Sequence, residues 1–222
     1  MPSTLPPTGD RETPPTLRDG QPRRATAPPA VVDYPGALWI PANRRLWHAR
    51  AAEDVPRFVC LHSTENRIAV GVARSVARWF CTAPSDCKGC AHYIVGLGDD
   101  EVVQCVREKD QAGAAGRTAN RFGIHIELVG QAETTDWTLG PGLSVLQRAA
   151  PLVRSILDRN GWPCRALDAA RLEAGEQGIV THATCSAAFK ESCHRDPGLQ
   201  DDARWPWELF LSLVSGENLA AW

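Results

Sequence analysis

Short apolar runs separated by polar loops occupy the middle of the chain and predict a series of β-strands. Residues 57–62 (RFVCLH) form such a run and enter a Ser-Thr-Glu-Asn loop, which is typical of a buried strand. Residues 92–97 and 101–106 flank a Gly-Asp-Asp turn and predict a β-hairpin. A further apolar run, residues 122–129, predicts another strand that ends at Gly130.

Apolar residues recur with helical spacing in two segments. In residues 68–80 the side chains of Val72, Val76, Trp79 and Phe80 are expected on one side of a helix. Residues 143–159 show the same period over a longer stretch, and the Asn-Gly pair that follows is a typical helix end. The two segments therefore predict amphipathic helices with one face turned toward a core.

The last third of the chain predicts one more strand and one more helix. Residues 178–181 predict a short strand that delivers His182 into a loop, and this loop is expected to continue to Asp196 and the Pro-Gly pair after it. Trp205 and Trp207 lead a C-terminal helix. The order of elements predicts an α/β fold with a mixed central β-sheet flanked by helices.

The N-terminal segment differs in composition from the rest of the chain. Residues 1–36 hold nine of the 17 prolines, and Tyr34 is the one aromatic residue among them. Such a segment buries too little apolar surface to offset the entropy lost on ordering. We therefore predict a Pro-rich disordered leader over residues 1–36 and one folded domain over residues 37–222.

Charge and hydropathy exclude several classes of function. The formal net charge of −2 argues against a dedicated nucleic-acid binder, which needs a concentrated basic face. No run approaches the roughly 18 apolar residues of a membrane span. The N-terminus lacks the basic start and apolar core of a secretory signal, so synthesis in the cytoplasm is expected.

The cysteines allow three interpretations. A reducing cytosol favours unpaired thiols, because disulfides persist mainly in oxidising compartments. One disulfide is an alternative, and a metal bound by the C-x5-C-x2-C group at residues 81–90 is another, although no fourth ligand is evident. The eight cysteines are Cys60, Cys81, Cys87, Cys90, Cys105, Cys164, Cys185 and Cys193.

Two histidines and one aspartate are placed where a metal site is commonly built. His62 and His182 each end a predicted strand and precede small polar residues, and Asp196 follows 14 residues after His182. Two imidazoles and one carboxylate leave zinc an open fourth position, which is the catalytic rather than the structural arrangement. From spacing alone, three separate hydrogen-bonded side chains remain the alternative.

Five segments in chain order identify a family that fits these residues. Together they resemble the type 2 N-acetylmuramoyl-L-alanine amidases, whose fold is shared by phage endolysins, bacterial recycling amidases and peptidoglycan-recognition proteins. The resemblance covers roughly residues 37–212. The segments are VCLHSTE (59–65), CAHYIV (90–95), NRFGIHIELVG (120–130), TH (181–182) and HRDPG (194–198).

The resemblance implies a role for each candidate residue. One zinc ion would be bound by His62, His182 and Asp196. Glu127 would be the general base, with a solvent-facing strand carboxylate as the alternative. His194 stands where recycling amidases usually carry a lysine that stabilises the oxyanion, and an imidazole N–H donor can do similar work.

Several positions depart from the family pattern or leave alternatives. Residues 113–116 read GAAG where the family often has Trp-His-Ala-Gly, and Ala91 stands where phage amidases carry a catalytic tyrosine. His125 replaces a usual glycine and shares a strand face with Glu127. For two of the roles the alternatives are Lys190 as the oxyanion donor and Cys185 or Cys193 as the third metal ligand.

The predicted function is hydrolysis of the amide between N-acetylmuramic acid and L-alanine in peptidoglycan or muropeptides. A phage or prophage endolysin released through a holin is favoured over a recycling enzyme or an effector exported by dedicated machinery. A non-catalytic peptidoglycan-binding module is the rival from another class. A zinc peptidase is disfavoured because no His-Glu-x-x-His signature occurs. The oligomeric state is not predicted.

Overall fold

The computed structural model describes residues 32–198 and 205–217. Most of the predicted disordered leader, residues 1–31, lies outside the described residues, so that part of the domain division stays a prediction. Residues 32–36 are described, and Asp33 accepts hydrogen bonds from the side chain of Arg107 and the backbone N–H of Glu108. These last residues of the predicted leader therefore lie against the folded domain.

A six-stranded, largely parallel sheet forms the centre of the described domain. The strands of the domain are β1 (Leu38–Trp39), β2 (Trp47–Ala49), β3 (Phe58–Ser63), β4 (Tyr93–Val95), β5 (Val102–Gln104), β6 (Asp110–Ala112), β7 (Gly123–Leu128) and β8 (Gly178–Thr181). The strand order of the large sheet is β1-β5-β4-β7-β3-β8, and a separate two-stranded sheet pairs β2 with β6. Within the large sheet, β4 and β5 are antiparallel as predicted for the hairpin, and the other pairs are parallel.

Helices cover the sheet, and the predicted α/β class is confirmed. The predicted helices over residues 68–80 and 143–159 correspond to α1 and α3, and Gly161 ends α3 in the left-handed conformation. None of the described helices is long and apolar enough to cross a membrane. The helices are α1 (Val72–Thr82), α2 (Arg117–Phe122), α3 (Gly140–Asn160), α4 (Ala169–Glu173), α5 (His182–Phe189) and α6 (Trp207–Ser215), with a short 3-10 helix at Arg44–Leu46.

The alternation of side chains along β3 separates the core from the candidate site. Val59 and Leu61 belong to the apolar cluster that includes the buried residues of α3. Cys60 belongs to a second cluster with buried residues of α2, α4 and α5, and His62 follows it on the same strand face. Cys60 and His62 therefore lie on the sheet face opposite α3.

The same alternation occurs on β7, the neighbour of β3. Ile124 and Ile126 join the α3 cluster. His125 and Glu127 face the other side, and the parallel register places Glu127 beside His62. The pairing of β3 with β7 thus brings the candidate base next to a candidate ligand.

The prediction of a loop from His182 to Asp196 is wrong over its first half. The helix α5 begins at His182, and the side chain of Thr181 accepts a hydrogen bond from the Thr184 backbone N–H as an N-cap. Residues 182–189 (HATCSAAF) lack an apolar stripe at helical spacing, and for this reason the helix was not predicted. The sequence does not predict the short elements α2, α4, β2 and β6, because segments of three to six residues are too short to show a hydrophobic period.

The cysteines, all within the described residues, are free thiols. Within the C-x5-C-x2-C group, Cys87 and Cys90 are buried and donate to the backbone carbonyls of Gly89 and Leu46. Cys81 is exposed. Cys87 and Cys90 therefore donate to backbone acceptors, and no disulfide joins the cysteines.

Candidate active site

The predicted ligands converge at the carboxyl end of the parallel strands. His62 lies near the end of β3, His182 follows β8 directly, and Asp196 lies in the loop after α5. His62 Nδ1 lies 3.1 Å from His182 Nδ1 and 3.5 Å from Asp196 Oδ2. His182 Nδ1 lies 3.2 Å from Asp196 Oδ1. We call these three buried residues the His–His–Asp cluster.

The spacing of these donor atoms fits a metal ion. In a tetrahedral zinc site with bonds of about 2.0–2.1 Å, neighbouring ligand atoms lie about 3.3–3.4 Å apart. The three observed separations of 3.1, 3.2 and 3.5 Å bracket that value. Two imidazole nitrogens and a carboxylate oxygen are also the donor types that zinc accepts in catalytic sites. The cluster is therefore a candidate metal site.

The electrostatics of the cluster favour the protonation states that bind a cation. Burial alone would raise the pKa of Asp196, but hydrogen bonds with His182 and His62 outweigh it and hold the pKa well below its usual range. Burial lowers the pKa of His62, although the hydrogen bond with Asp196 opposes this effect. At neutral pH the carboxyl is ionised and the His62 ring is neutral, as a metal ligand requires.

Two further contacts hold the ligand side chains in place. The backbone N–H of Ser63 donates to Asp196 Oδ2 at 3.1 Å. The Nε2 atom of His182 lies 3.0 Å from the hydroxyl oxygen of Ser192. Sequence reasoning missed both serine contacts, because they join residues whose proximity depends on how the loop after α5 folds back.

Glu127 is a partly buried carboxyl beside the cluster. Its Oε2 atom is buried and has no hydrogen-bond partner among the described residues. Burial raises the pKa of Glu127 to about 8, and the negative charges of Asp196 and Glu65 act in the same direction. A carboxyl whose pKa lies near neutrality suits a group that both takes up and returns a proton. This position excludes the alternative of a solvent-facing edge carboxylate.

Glu127 lies where two parts of an open cleft meet. One part has a volume of about 710 Å³ and lies between α1 and the loop after β3. The other has a volume of about 420 Å³ and is lined by His194 and by Ala114 of the GAAG segment. Trp79 and Phe80 line both parts. Lys88 also lines the smaller part, a position that the sequence did not indicate.

His194 lies at the mouth of the smaller part of the cleft, while Lys190 does not. The His194 ring stacks on His182 with centroids 4.8 Å apart, and its Nδ1 atom lies 3.6 Å from Asp196 Oδ1. Its side chain is 68% exposed. Lys190 ends α5 and lines neither part of the cleft. The geometry therefore favours His194 over Lys190 as the donor near the cluster.

The alternative third ligands occupy other positions. Cys185 is buried and its Sγ atom lies 3.6 Å from Cys60 Sγ, while Cys193 is exposed. Among the described residues, the group that contains His62 and His182 is completed by Asp196. Asp196 therefore remains the proposed third ligand.

Glu127 should make the stability of the metal-free protein depend on pH. The carboxyl ionises near pH 4.5 in the unfolded chain and near 8 in the folded chain, so the folded state holds one more proton between these values. Its contribution to the free energy of unfolding is complete below pH 4.5 and is lost as the pH rises to about 8. Relative to Glu127→Gln, the wild type should lose on the order of 1–3 kcal/mol between pH 5 and 9.

Urea unfolding of both proteins with a chelator present measures this difference. Adding zinc should reduce it, because a nearby cation favours the carboxylate. A difference that stays constant from pH 5 to 9 would contradict the raised pKa.

A buried pair of histidines and an aspartate beside an unpaired carboxyl in a cleft is typical of metal-dependent hydrolases. Residues 52–199 match the family model described as N-acetylmuramoyl-L-alanine amidase. The chain belongs to this family, which confirms the resemblance seen in the five sequence segments.

Individual relatives support the same assignment. The chain is 26% identical over 193 residues to N-acetylmuramoyl-L-alanine amidase A of Achromobacter lyticus, with 84% of this chain and 97% of that protein covered. The fold is similar to that of the hydrolase AmiA of Staphylococcus aureus, with a TM-score of 0.60, 14% identity, and 84% of this chain and 86% of that chain covered. A mutant endolysin from Bacillus subtilis gives a TM-score of 0.53 at 19% identity, with 83% and 99% covered. At these identities the two structures establish a shared fold.

Proposed function

We propose that the chain is a zinc-dependent amidase that hydrolyses the bond between the lactyl group of N-acetylmuramic acid and L-alanine in peptidoglycan or muropeptides. The observation that carries this proposal is the convergence of three candidate ligand atoms, 3.1–3.5 Å apart, next to Glu127, which neighbours His62 in the strand register and lines an open cleft. Membership of the N-acetylmuramoyl-L-alanine amidase family supports this choice of bond.

The His–His–Asp cluster would bind one zinc ion. Zinc bound there would act as a Lewis acid and lower the pKa of water from its bulk value to about 7. The Ser63 N–H and the Ser192 hydroxyl orient Asp196 and His182, respectively, through hydrogen bonds. The chain would thus supply three ligands, the number that catalytic zinc sites typically take from the protein.

Glu127 would take the proton of the attacking water and return it to the departing nitrogen. The water oxygen adds to the carbonyl carbon, the C–N bond breaks, and the products are a lactyl carboxylic acid and the free amino group of L-alanine. One carboxyl group serves both transfers, because giving the proton to the nitrogen restores the carboxylate that took it from the water. Its buried, unpaired Oε2 atom is available for this role.

His194 would donate an N–H to the carbonyl oxygen as negative charge develops there. Its ring is held against His182 yet remains exposed to the cleft. A donor aimed at the developing charge stabilises the transition state more than the ground state.

The biological role that we favour is that of a phage or prophage endolysin. The Trp-Pro-Trp segment after Asp-Pro-Gly and the Pro-rich N-terminal segment resemble such lysins in sequence. Release through a holin would bring the enzyme to the cell wall. A recycling amidase acting on muropeptides in the cytoplasm or an exported effector would carry out the same chemistry at the same site.

Mass spectrometry of digested peptidoglycan tests the proposed bond. The digest should contain new L-alanine amino termini and no new reducing sugar ends. New reducing ends would instead indicate a glycosidase. Binding without cleavage, with one equivalent of zinc bound, would support the rival function of a peptidoglycan-binding module. Ala114 favours this rival, because it stands where the family often has a histidine.

A further inference from the structure

A second histidine lies directly behind His62. The Nε2 atom of His62 is 3.0 Å from Nδ1 of His125, and both rings are buried. The other nitrogen of His62, Nδ1, faces His182 and Asp196. The His62 ring therefore has the candidate metal site on one side and His125 on the other.

The two contacts of His62 are coupled through its tautomer. A neutral imidazole carries one N–H, and a metal ligand needs a lone pair on the nitrogen that faces the ion. A cation in the His–His–Asp cluster requires the lone pair on Nδ1, so the proton of His62 must lie on Nε2. That N–H then donates to Nδ1 of His125.

The surroundings of His125 hold its ring in the orientation that accepts this bond. Its backbone N–H donates to Nδ1 of His92, whose Nε2 donates to the Asp110 carbonyl, and the two rings stack with centroids 5.7 Å apart. A Cβ at Gly123 would lie 2.9 Å from His125 Nε2, so glycine leaves the space that the ring fills. This Nε2 atom has no partner among the described residues, which leaves Nδ1 as the one hydrogen-bonded ring nitrogen of His125.

We propose that His125 is a positioning residue that accepts a hydrogen bond from His62 and thereby selects the metal-binding tautomer of that ligand. This inference rests on the proposed zinc site. The bond is supplied by a side chain of β7, the strand that pairs with β3. Partners of this kind orient a ligand and increase its basicity.

Zinc affinity of matched variants tests the proposal. His125→Leu fills much of the ring's space but offers no acceptor, and it should weaken zinc binding by about 10–100-fold. His125→Asn places Oδ1 where Nδ1 was, and it should bind zinc nearly as tightly as the wild type although asparagine fills less space than leucine. Zinc dissociation constants from chelator competition measure both, and thermal unfolding with chelator present reports whether each variant folds.

Equal weakening in His125→Leu and His125→Asn would overturn the proposal, because the loss would then follow packing. Cys60→Ala tests the alternative that His125 itself binds a metal ion. It removes the buried thiol that pairs in register with His125 and leaves the His62–His125 bond in place, so it should change neither affinity nor stoichiometry. Among the described residues, Cys60, His62 and His125 also form a candidate metal group. A wild type that binds two zinc ions and a Cys60→Ala variant that binds one would make His125 a ligand and overturn its role as an acceptor.

A measurement on the wild type avoids substitutions altogether. Nitrogen chemical shifts of the histidine rings in the zinc-loaded protein should show a proton on Nε2 of His62 and none on Nδ1 of His125. A proton on Nδ1 of His125 would overturn the inference. Failure of the proposed function itself is distinguishable, because then His62→Ala would leave zinc binding intact.

Discussion

His62→Ala is expected to abolish both zinc binding and amide hydrolysis. His62 is 2% exposed and lies within 3.5 Å of both other members of the His–His–Asp cluster. Alanine therefore removes one of the three candidate ligands from a buried position. Zinc content should fall from about one per chain to near zero. Turnover should fall by on the order of 10³-fold or more, since metal catalysis supplies several kcal/mol of transition-state stabilisation.

His48→Ala is the matched control for this experiment. His48 lies on β2, is exposed and belongs to no candidate metal group among the described residues. Its loss should alter neither zinc content nor turnover. Elemental analysis together with a peptidoglycan turnover assay gives both values, and a His62→Ala protein that is active without metal would exclude the proposed mechanism.

Glu127→Gln is expected to separate the base from the ligands. Glutamine keeps the shape of the side chain but cannot accept a proton as a carboxylate does. Turnover should fall by about 10²–10⁴-fold. Zinc content should stay near that of the wild type, because Glu127 lies outside the His–His–Asp cluster. Parallel measurement of bound zinc and initial rate checks both expectations.

Glu65→Gln serves as the control for loss of a nearby negative charge. Glu65 accepts a hydrogen bond from the Ser63 hydroxyl, and its charge contributes to the raised pKa of Glu127. This variant should keep most of the turnover. Loss of zinc in Glu127→Gln would identify Glu127 as a ligand, and near-normal turnover would require another base.

The central strands of this protein are predictable from its sequence. The apolar runs that contain His62 and Glu127 predict strands from neighbouring residues alone, because side-chain alternation and β-branched composition are properties of residues adjacent in the chain. The five-segment resemblance implies the candidate ligands and the candidate base. The segment at residues 178–181 was predicted with the bounds that β8 has in the structure.

The sequence alone did not show how these segments meet. The helix α5 has no apolar stripe, so only its packing against the sheet and α4 distinguishes it from the predicted loop. The bond between His62 and His125 depends on the register of β3 against β7, and no local pattern in either strand encodes that register.

Local sequence thus determined the central strands, the candidate side chains for the chemistry and the resemblance to the amidase family. The tertiary structure alone decided that Glu127 is buried enough to raise its pKa to about 8 and that Asp196, 134 positions beyond His62 in the chain, completes the cluster. The physical reason is that strand periodicity arises between neighbouring residues, whereas desolvation and ligand geometry arise between residues brought together only by sheet register and helix docking.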